Sequence, residues 1–235
     1  MAGDTGSSGG GGSLGLPGLP PTYPDINVIT DTTTTMLSAL PATAAYGDEE
    51  ATSFTVTVVT GGGEVIPFAG ETATVTADAG TCTATLIPGN SGGAGFCSLA
   101  ATALPAGSYS AVATYDGDAD LASSRSESIP FTVAKATSSA VLTLSAGKVA
   151  YGDEQAEMLS VTASPEFAGS SPTGTITVTA STTTICVITL SGGTGSCTLS
   201  PEQLGVGSYQ LLATYGGDAN FESSVAAKRT LHVTG

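Results

Sequence analysis

Residues 107–124 read GSYSAVATYDGDADLASS, and residues 207–224 return the pattern as GSYQLLATYGGDANFESS. A second block behaves in the same way: AAYGDEEA at residues 44–51 recurs as VAYGDEQA at residues 149–156. The first pair is offset by 100 positions and the second by 105, so a net five residues are lost in the connections between them. Length changes confined to loops between fixed blocks are what a duplicated domain produces. Taken alone, Asp116, Asp118 and Asp120 suggest a calcium site or a carboxylate cluster. The second copy keeps only Asp218 and puts Gly216 and Asn220 at the other two positions. The shared element is therefore turn chemistry. What remains is a weak metal site private to the first copy, and it lacks the glycine and distant bidentate glutamate of an EF-hand.

Outward from these blocks the chain alternates with period two. FTVTVVT (residues 54–60), TATVTA (72–77) and YSAVATY (109–115) put valine, alanine and aromatic residues on one face and threonine or serine on the other. MLSVTAS, GTITVTA and YQLLATY answer them in the second copy. About seven short strands per unit, separated by glycine turns, predict an all-β protein of two tandem immunoglobulin-like β-sandwiches. The expected domains are residues 32–134 and 135–235, behind an extended Gly/Pro-rich arm at residues 1–31. No segment has a helical pattern.

Composition agrees with strands and turns and excludes several functions. The chain has 32 glycines, no tryptophan, five basic residues and a net charge of −15. So few cations exclude a nucleic-acid surface, which needs basic side chains against phosphate. No apolar run reaches the roughly 20 residues of a membrane span. The N-terminus has neither the basic nor the apolar region of a secretory signal. In the arm, Leu14, Leu16, Pro17, Leu19, Pro20, Pro21, Tyr23 and Pro24 form an apolar, polyproline-like stretch suited to docking on a larger assembly. Its PPTY string matches a WW-domain ligand, a match easily made by chance in such a stretch.

Four cysteines occupy corresponding places, Cys82 and Cys97 in the first unit, Cys186 and Cys197 in the second. Each pair brackets a glycine-rich segment that reads as a hairpin, which would set its cysteines opposite each other in one disulfide per unit. Zinc is the rival reading, but it would need further ligands, and the only histidine, His232, lies in the last strand. The spacing is too short for the usual inter-sheet immunoglobulin bridge, which also packs on a tryptophan that this chain lacks. Oxidised cysteines imply work outside a reducing cytosol.

The pattern G-S-Y-x-x-x-A-T-Y-x-G-D-A-x-x-x-x-S in both units, with AYGDE upstream and PTGTITV in the second, resembles the bacterial immunoglobulin-like repeats of adhesins, secreted enzymes and tailed-phage structural proteins. The resemblance covers residues 32–235. It departs where the first unit reads GETATV and in the cysteine pairs, which are outside the family pattern. It implies that Tyr109 and Tyr209 form tyrosine corners and that Tyr115 and Tyr215 pack at the rim of the sandwich. For function it implies a spacer, stalk or adhesive accessory.

Groups that converge for catalysis are lacking, and the carboxylates of YGDEE and YGDEQ read as turn residues, with Asp48 and Asp153 as caps. The expectation is a non-enzymatic structural and adhesion protein without a cofactor, calcium being the one candidate ion. It is read as a phage virion decoration protein docked by its arm to other structural proteins, displaying two domains to host-surface glycans or proteins. The alternative is a fragment of a bacterial adhesin, or a spacer of a secreted multidomain protein. Either reading places it on a virion surface or otherwise outside the cell.

Overall fold

The computed structural model describes residues 30–61, 68 and 70–235. The docking stretch from Leu14 to Pro24 lies outside the described residues. The first unit comprises β1 (Thr33–Leu40), β2 (Thr43–Ala45), β3 (Ser53–Thr60), β4 (Thr72–Ala77), β5 (Gly80–Thr85), β6 (Ile87–Pro88), β7 (Gly92–Cys97), β8 (Gly107–Tyr115), β9 (Ser124–Arg125) and β10 (Ile129–Ala134). The second comprises β11 (Ser138–Leu144), β12 (Lys148–Ala150), β13 (Met158–Pro165), β14 (Thr175–Ala180), β15 (Thr183–Thr189), β16 (Thr194–Thr198), β17 (Gly207–Tyr215), β18 (Ser224–Val225) and β19 (Arg229–Thr234). Among the described residues, helix is limited to single 3-10 turns at Glu49–Ala51 and Glu154–Ala156.

Period-two patterning explains both the strands and their faces. β3 buries Phe54, Val56 and Val58 and turns Ser53 and Thr55 outward, while β4 buries Ala73, Val75 and Ala77. One sheet of the first unit runs β1-β3-β7-β6 and the other β2-β10-β8-β4-β5, with β9 on β8. The second unit repeats this as β11-β13-β16 and β12-β19-β17-β14-β15, with β18 on β17. In each unit the first strand divides between the sheets. β1 lies antiparallel to β3, whereas β2 crosses over and runs parallel to β10, pairing Thr43 with Thr132. β12 and β19 repeat that parallel pairing. Each unit is thus an immunoglobulin-like sandwich.

The cores are rich in alanine and valine and are filled by a few aromatic rings. Phe54 and Phe131 meet edge to face at 5.2 Å, and Phe68 and Tyr115 lie 5.9 Å apart. Tyr115 and Tyr215, expected to pack across the rim of the sandwich, are both fully buried at the ends of their strands. The reason is volume. Their inward neighbours along β8 and β17 include Ala111, Ala113 and Ala213, and the register sets Ala73 against Tyr115. Such small residues leave space that only a large ring can fill to normal density.

Each cysteine segment turns back on itself as expected, Ile87 and Pro88 against Ala94 and Gly93 in the first unit and Ser191 against Thr194 in the second, but its two cysteines do not lie on one sheet. Cys82 on β5 bonds Cys97 on β7, and Cys186 on β15 bonds Cys197 on β16, with Cα separations of 5.8 and 6.7 Å. β5 pairs with β4 and β7 pairs with β3, so the two cysteines of a pair lie in opposite sheets. The chain changes sheet between β5 and β6, and between β15 and Ser191, before the glycine turn closes, so the bridge does join the sheets, at the sandwich edge instead of through the core. Closing loops of this size stabilises by about 3 kcal/mol in the chain-entropy model. We expect C186S/C197S to lose about that much stability in guanidinium unfolding of the second unit, with the first unit's transition in place. An unchanged midpoint would count against a structural bridge.

Candidate functional site

The candidate site is the set of loops at the ends of the sandwiches, and a buried carboxylate organises it. Burying a charge is costly unless hydrogen bonds replace water. Glu49 and Glu154 are both fully buried. Glu49 Oε2 accepts from the backbone N–H of Gly47 at 2.9 Å and of Thr102 at 2.8 Å. Glu154 Oε2 does the same with Gly152 at 3.0 Å and Glu202 at 2.8 Å. All four donors have left-handed backbone, with φ of +89° and +87° at the glycines, 59° at Thr102 and 58° at Glu202. That conformation is unfavourable for Thr and Glu by about 1 kcal/mol and is held here by the carboxylate. Oε1 of each glutamate is buried without a hydrogen-bond partner among the described residues. Asp48 and Asp153, expected to cap this turn, make no side-chain cap. The adjacent glutamate has taken the role, because one more methylene lets it reach a second loop some fifty residues away.

The aspartate loops sit at the opposite end of each unit. Asp118 Oδ1 accepts from the N–H of Asp120 at 2.8 Å and of Leu121 at 2.7 Å. These bonds, that of Asp120 first, hold its carboxyl below the usual range. Asp218 Oδ1 accepts from Asn220 and Phe221 at 2.8 and 2.9 Å, and Oδ2 from the Thr173 N–H and hydroxyl at 2.8 and 2.7 Å. Burial works to raise its pKa, but the bonds from Thr173, Asn220 and Phe221 outweigh it, and the net shift is downward. Asp116, Asp118 and Asp120 are not brought together as ligands: among the described residues no three His, Cys, Asp or Glu side chains form a group able to hold a metal ion. The Tyr115 hydroxyl donates to Glu71, and burial followed by that neighbour raises its pKa. Burial, then Asp218, pushes Tyr215 up to about 12. Tyr109 donates to the Pro105 carbonyl at 2.6 Å and Tyr209 to the Gly205 carbonyl at 3.0 Å, the geometry of a tyrosine corner.

The two kinds of loop end meet between the units. Tyr46 packs edge to face on Phe221, with ring centroids 5.5 Å apart. The Ala106 N–H donates to Asn220 Oδ1 at 3.0 Å, and Lys135 Nζ donates to the Asp218 carbonyl. A Cβ built on Gly47 would stand 3.0 Å from that of Phe167, and one on Gly169 would stand 3.2 Å from a Thr102 methyl. Loops 165–169 and 218–221 of the second unit therefore grip the two loops that Glu49 ties together in the first. The sequence reading missed Glu49, Glu154, Asn220 and Phe221; the available signal was that Asn220 and Phe221 stand where the first copy has Asp120 and Leu121.

A second surface feature is the outer face of β1-β3-β7-β6. The register aligns Met36, Thr57, Ala94 and Ile87 in one row and Ser38, Thr55 and Phe96 in the next. Ile87 is 65% and Phe96 71% exposed, beside a groove of about 420 Å³ along β6 and β7.

Residues 142–234 match the sequence model of the bacterial Ig-like domain (group 3). That match lies within the second unit, and the first unit repeats the motif blocks and most of the strand order of the second. No curated protein matches the chain. Among solved structures, the chain resembles a tetra-tandem repeat from the extending region of a large adhesion protein (TM-score 0.46, 18% identity, 86% of this chain and 49% of that one). It also resembles the Yersinia pseudotuberculosis adhesin InvE (TM-score 0.44, 15% identity, 85% and 59%). A third resemblance is to the fibronectin(III)-like modules of Clostridium thermocellum CbhA (TM-score 0.33, 12% identity, 85% and 94%). The chain spans less than two thirds of both adhesin chains.

Two outcomes follow from the loop ends. Glu49→Ala strands two backbone donors and should cost about 3 kcal/mol, with faster amide exchange at Gly47 and Thr102. Glu49→Gln keeps an acceptor and should retain most of the protection. For Asp218 the folded pKa lies below the ordinary 3.8, so its stabilisation is complete above that value and is lost as pH falls through the lowered one. Acid unfolding of Asp218→Ala should lack that component; an identical acid limb in both proteins would refute it.

Proposed function

We propose that the protein is a non-enzymatic spacer and adhesion element of a bacterial cell-surface or secreted multidomain protein. The observation that carries this reading is the junction: two sandwiches held end to end by Tyr46 on Phe221 and by the Ala106 and Lys135 hydrogen bonds, a mechanical link with no convergent chemistry around it. Two bridges that clamp sheet to sheet suit a module exposed to load in an oxidising environment. Contact with another protein or surface is assigned to the Met36, Ile87 and Phe96 face, the exposed apolar patch of the first unit. The net charge of −15 keeps the rest of the surface soluble and repels anionic partners.

The virion reading has a different basis. It rests on the arm, which lies outside the described residues, and neither the fold nor the junction favours it over a cell-surface location. Immunogold labelling with an antibody to the second unit separates the two. Label on the surface of intact producing bacteria is the expected result. Label confined to released phage particles would overturn the cell-surface assignment and restore the virion one.

A further inference from the structure

The groove along β6 and β7 has no counterpart in the second unit. Among the described residues that unit has no strand in the place of β6, and its sheet stops at β16. The groove holds about 420 Å³, its wall includes Thr57, Val59, Ile87, Pro88 and Ala94, and no charged side chain lines it among the described residues. It therefore belongs to the unit that directly follows residues 1–30. Those residues carry only two charged side chains, Asp4 and Asp25, and the stretch LGLPGLPPTYP at residues 14–24 carries none.

We propose that residues 14–24 of the same chain dock in this groove and cover the exposed Ile87. Reach allows it. Thr33 pairs with Thr60, and the Thr60 N–H donates to the Ser91 carbonyl at 3.2 Å, so the rim of the groove stands two strands, about 10 Å, from the start of β1. The seven steps from Pro24 to Asp31 span up to about 24 Å when extended. Shape allows it too, because a polyproline helix repeats every three residues and so puts Leu14, Pro17, Pro20 and Tyr23 on one face. That face is an apolar ridge for an uncharged trough. Pro17, Pro20, Pro21 and Pro24 bring no backbone N–H, so few donors lose water when the stretch is laid down.

Charge and concentration choose the chain's own arm over a second copy. Two chains of net charge −15 repel each other, whereas a short tether holds the arm near its groove at an effective concentration of about a millimolar. Weak apolar contact is then enough to keep the groove filled. Ile87 lines the groove and also stands in the row of Met36, so a partner that takes the whole outer face has to displace the arm. That consequence rests on the contact face assigned above; the docking itself does not.

The chain has no tryptophan, so Tyr23→Trp places a single reporter in the arm. In the full chain at micromolar concentration its emission is expected to be blue-shifted and poorly quenched by acrylamide. Ile87→Asp and, independently, Ala94→Glu should return both readings to those of a free peptide of residues 1–31 carrying the same tryptophan. Both side chains are exposed, and a retained melting midpoint identifies the folded variants. Emission in the full chain equal to that of the free peptide overturns the proposal. So does a blue shift that both folded groove variants leave in place, or one that grows with protein concentration, since the occupant would then be a second copy. The readout is internal to the chain, so its failure is distinct from a failure of the cell-surface assignment.

Discussion

The buried carboxylate of Glu49 is the interaction on which the end of the first sandwich depends. It joins the turn after β2 to the loop before β8, more than fifty residues apart in sequence, and fixes both in left-handed backbone at the points of contact. A buried carboxyl group is costly unless hydrogen bonds replace the lost water, and the two bonds to Oε2 hold the two loops to each other once the glutamate is inside. Those loops carry Tyr46, Gly47, Thr102 and Ala106, the residues that face the second unit. The carboxylate thus links core to interface: a choice made inside one sandwich determines the surface offered to the next.

The disulfides perform a complementary task at the long edge. A sandwich with alanines at Ala73, Ala77, Ala84, Ala111 and Ala113 buries less apolar area per residue than one built on leucine, and each deficit is about 0.8 kcal/mol per missing methylene. Joining β5 to β7, and β15 to β16, constrains the place where neither sheet can help the other by backbone pairing. Buried Tyr115 and Tyr215 contribute the remaining volume, and their hydroxyls are kept as neutral phenols by burial and by nearby Glu71 and Asp218. Small side chains, large rings and edge bridges are therefore one solution to a single packing problem.

Fold and repeat were legible in the sequence because they follow from patterns that local chemistry enforces. Alternation fixed β3, β4 and β8 nearly to the residue, and the repeated GSY and AYGDE blocks revealed the duplication. The glycine turns between the cysteines were legible, but the change of sheet just before them was not, because only the long-range pairing of β5 with β4 and of β7 with β3 reveals it. The role of Glu49 was hidden for a similar reason. Asp48 and Glu49 are adjacent acids in a turn, and a local rule favours the shorter one, whereas the deciding partner, the Thr102 amide, lies far along the chain. The junction left only a faint trace, the change from Asp120 and Leu121 to Asn220 and Phe221.

That change shows how one loop design serves two situations. Asp118 and Asp218 fold their loops with the same pair of backbone hydrogen bonds, so the turn is indifferent to what stands beside it. The residues that follow are then free to vary with the environment. Facing solvent, Asp120 can keep a charge at little cost. Against the first unit, a carboxylate in its place would be partly desolvated, whereas the neutral Asn220 presents a carbonyl to Ala106 without that penalty. The aromatic ring at 221 in turn needs a partner with a face to meet, and Tyr46 supplies it. Turn chemistry thus sets where the loop points, and two adjacent side chains decide whether that end binds another module or remains in water.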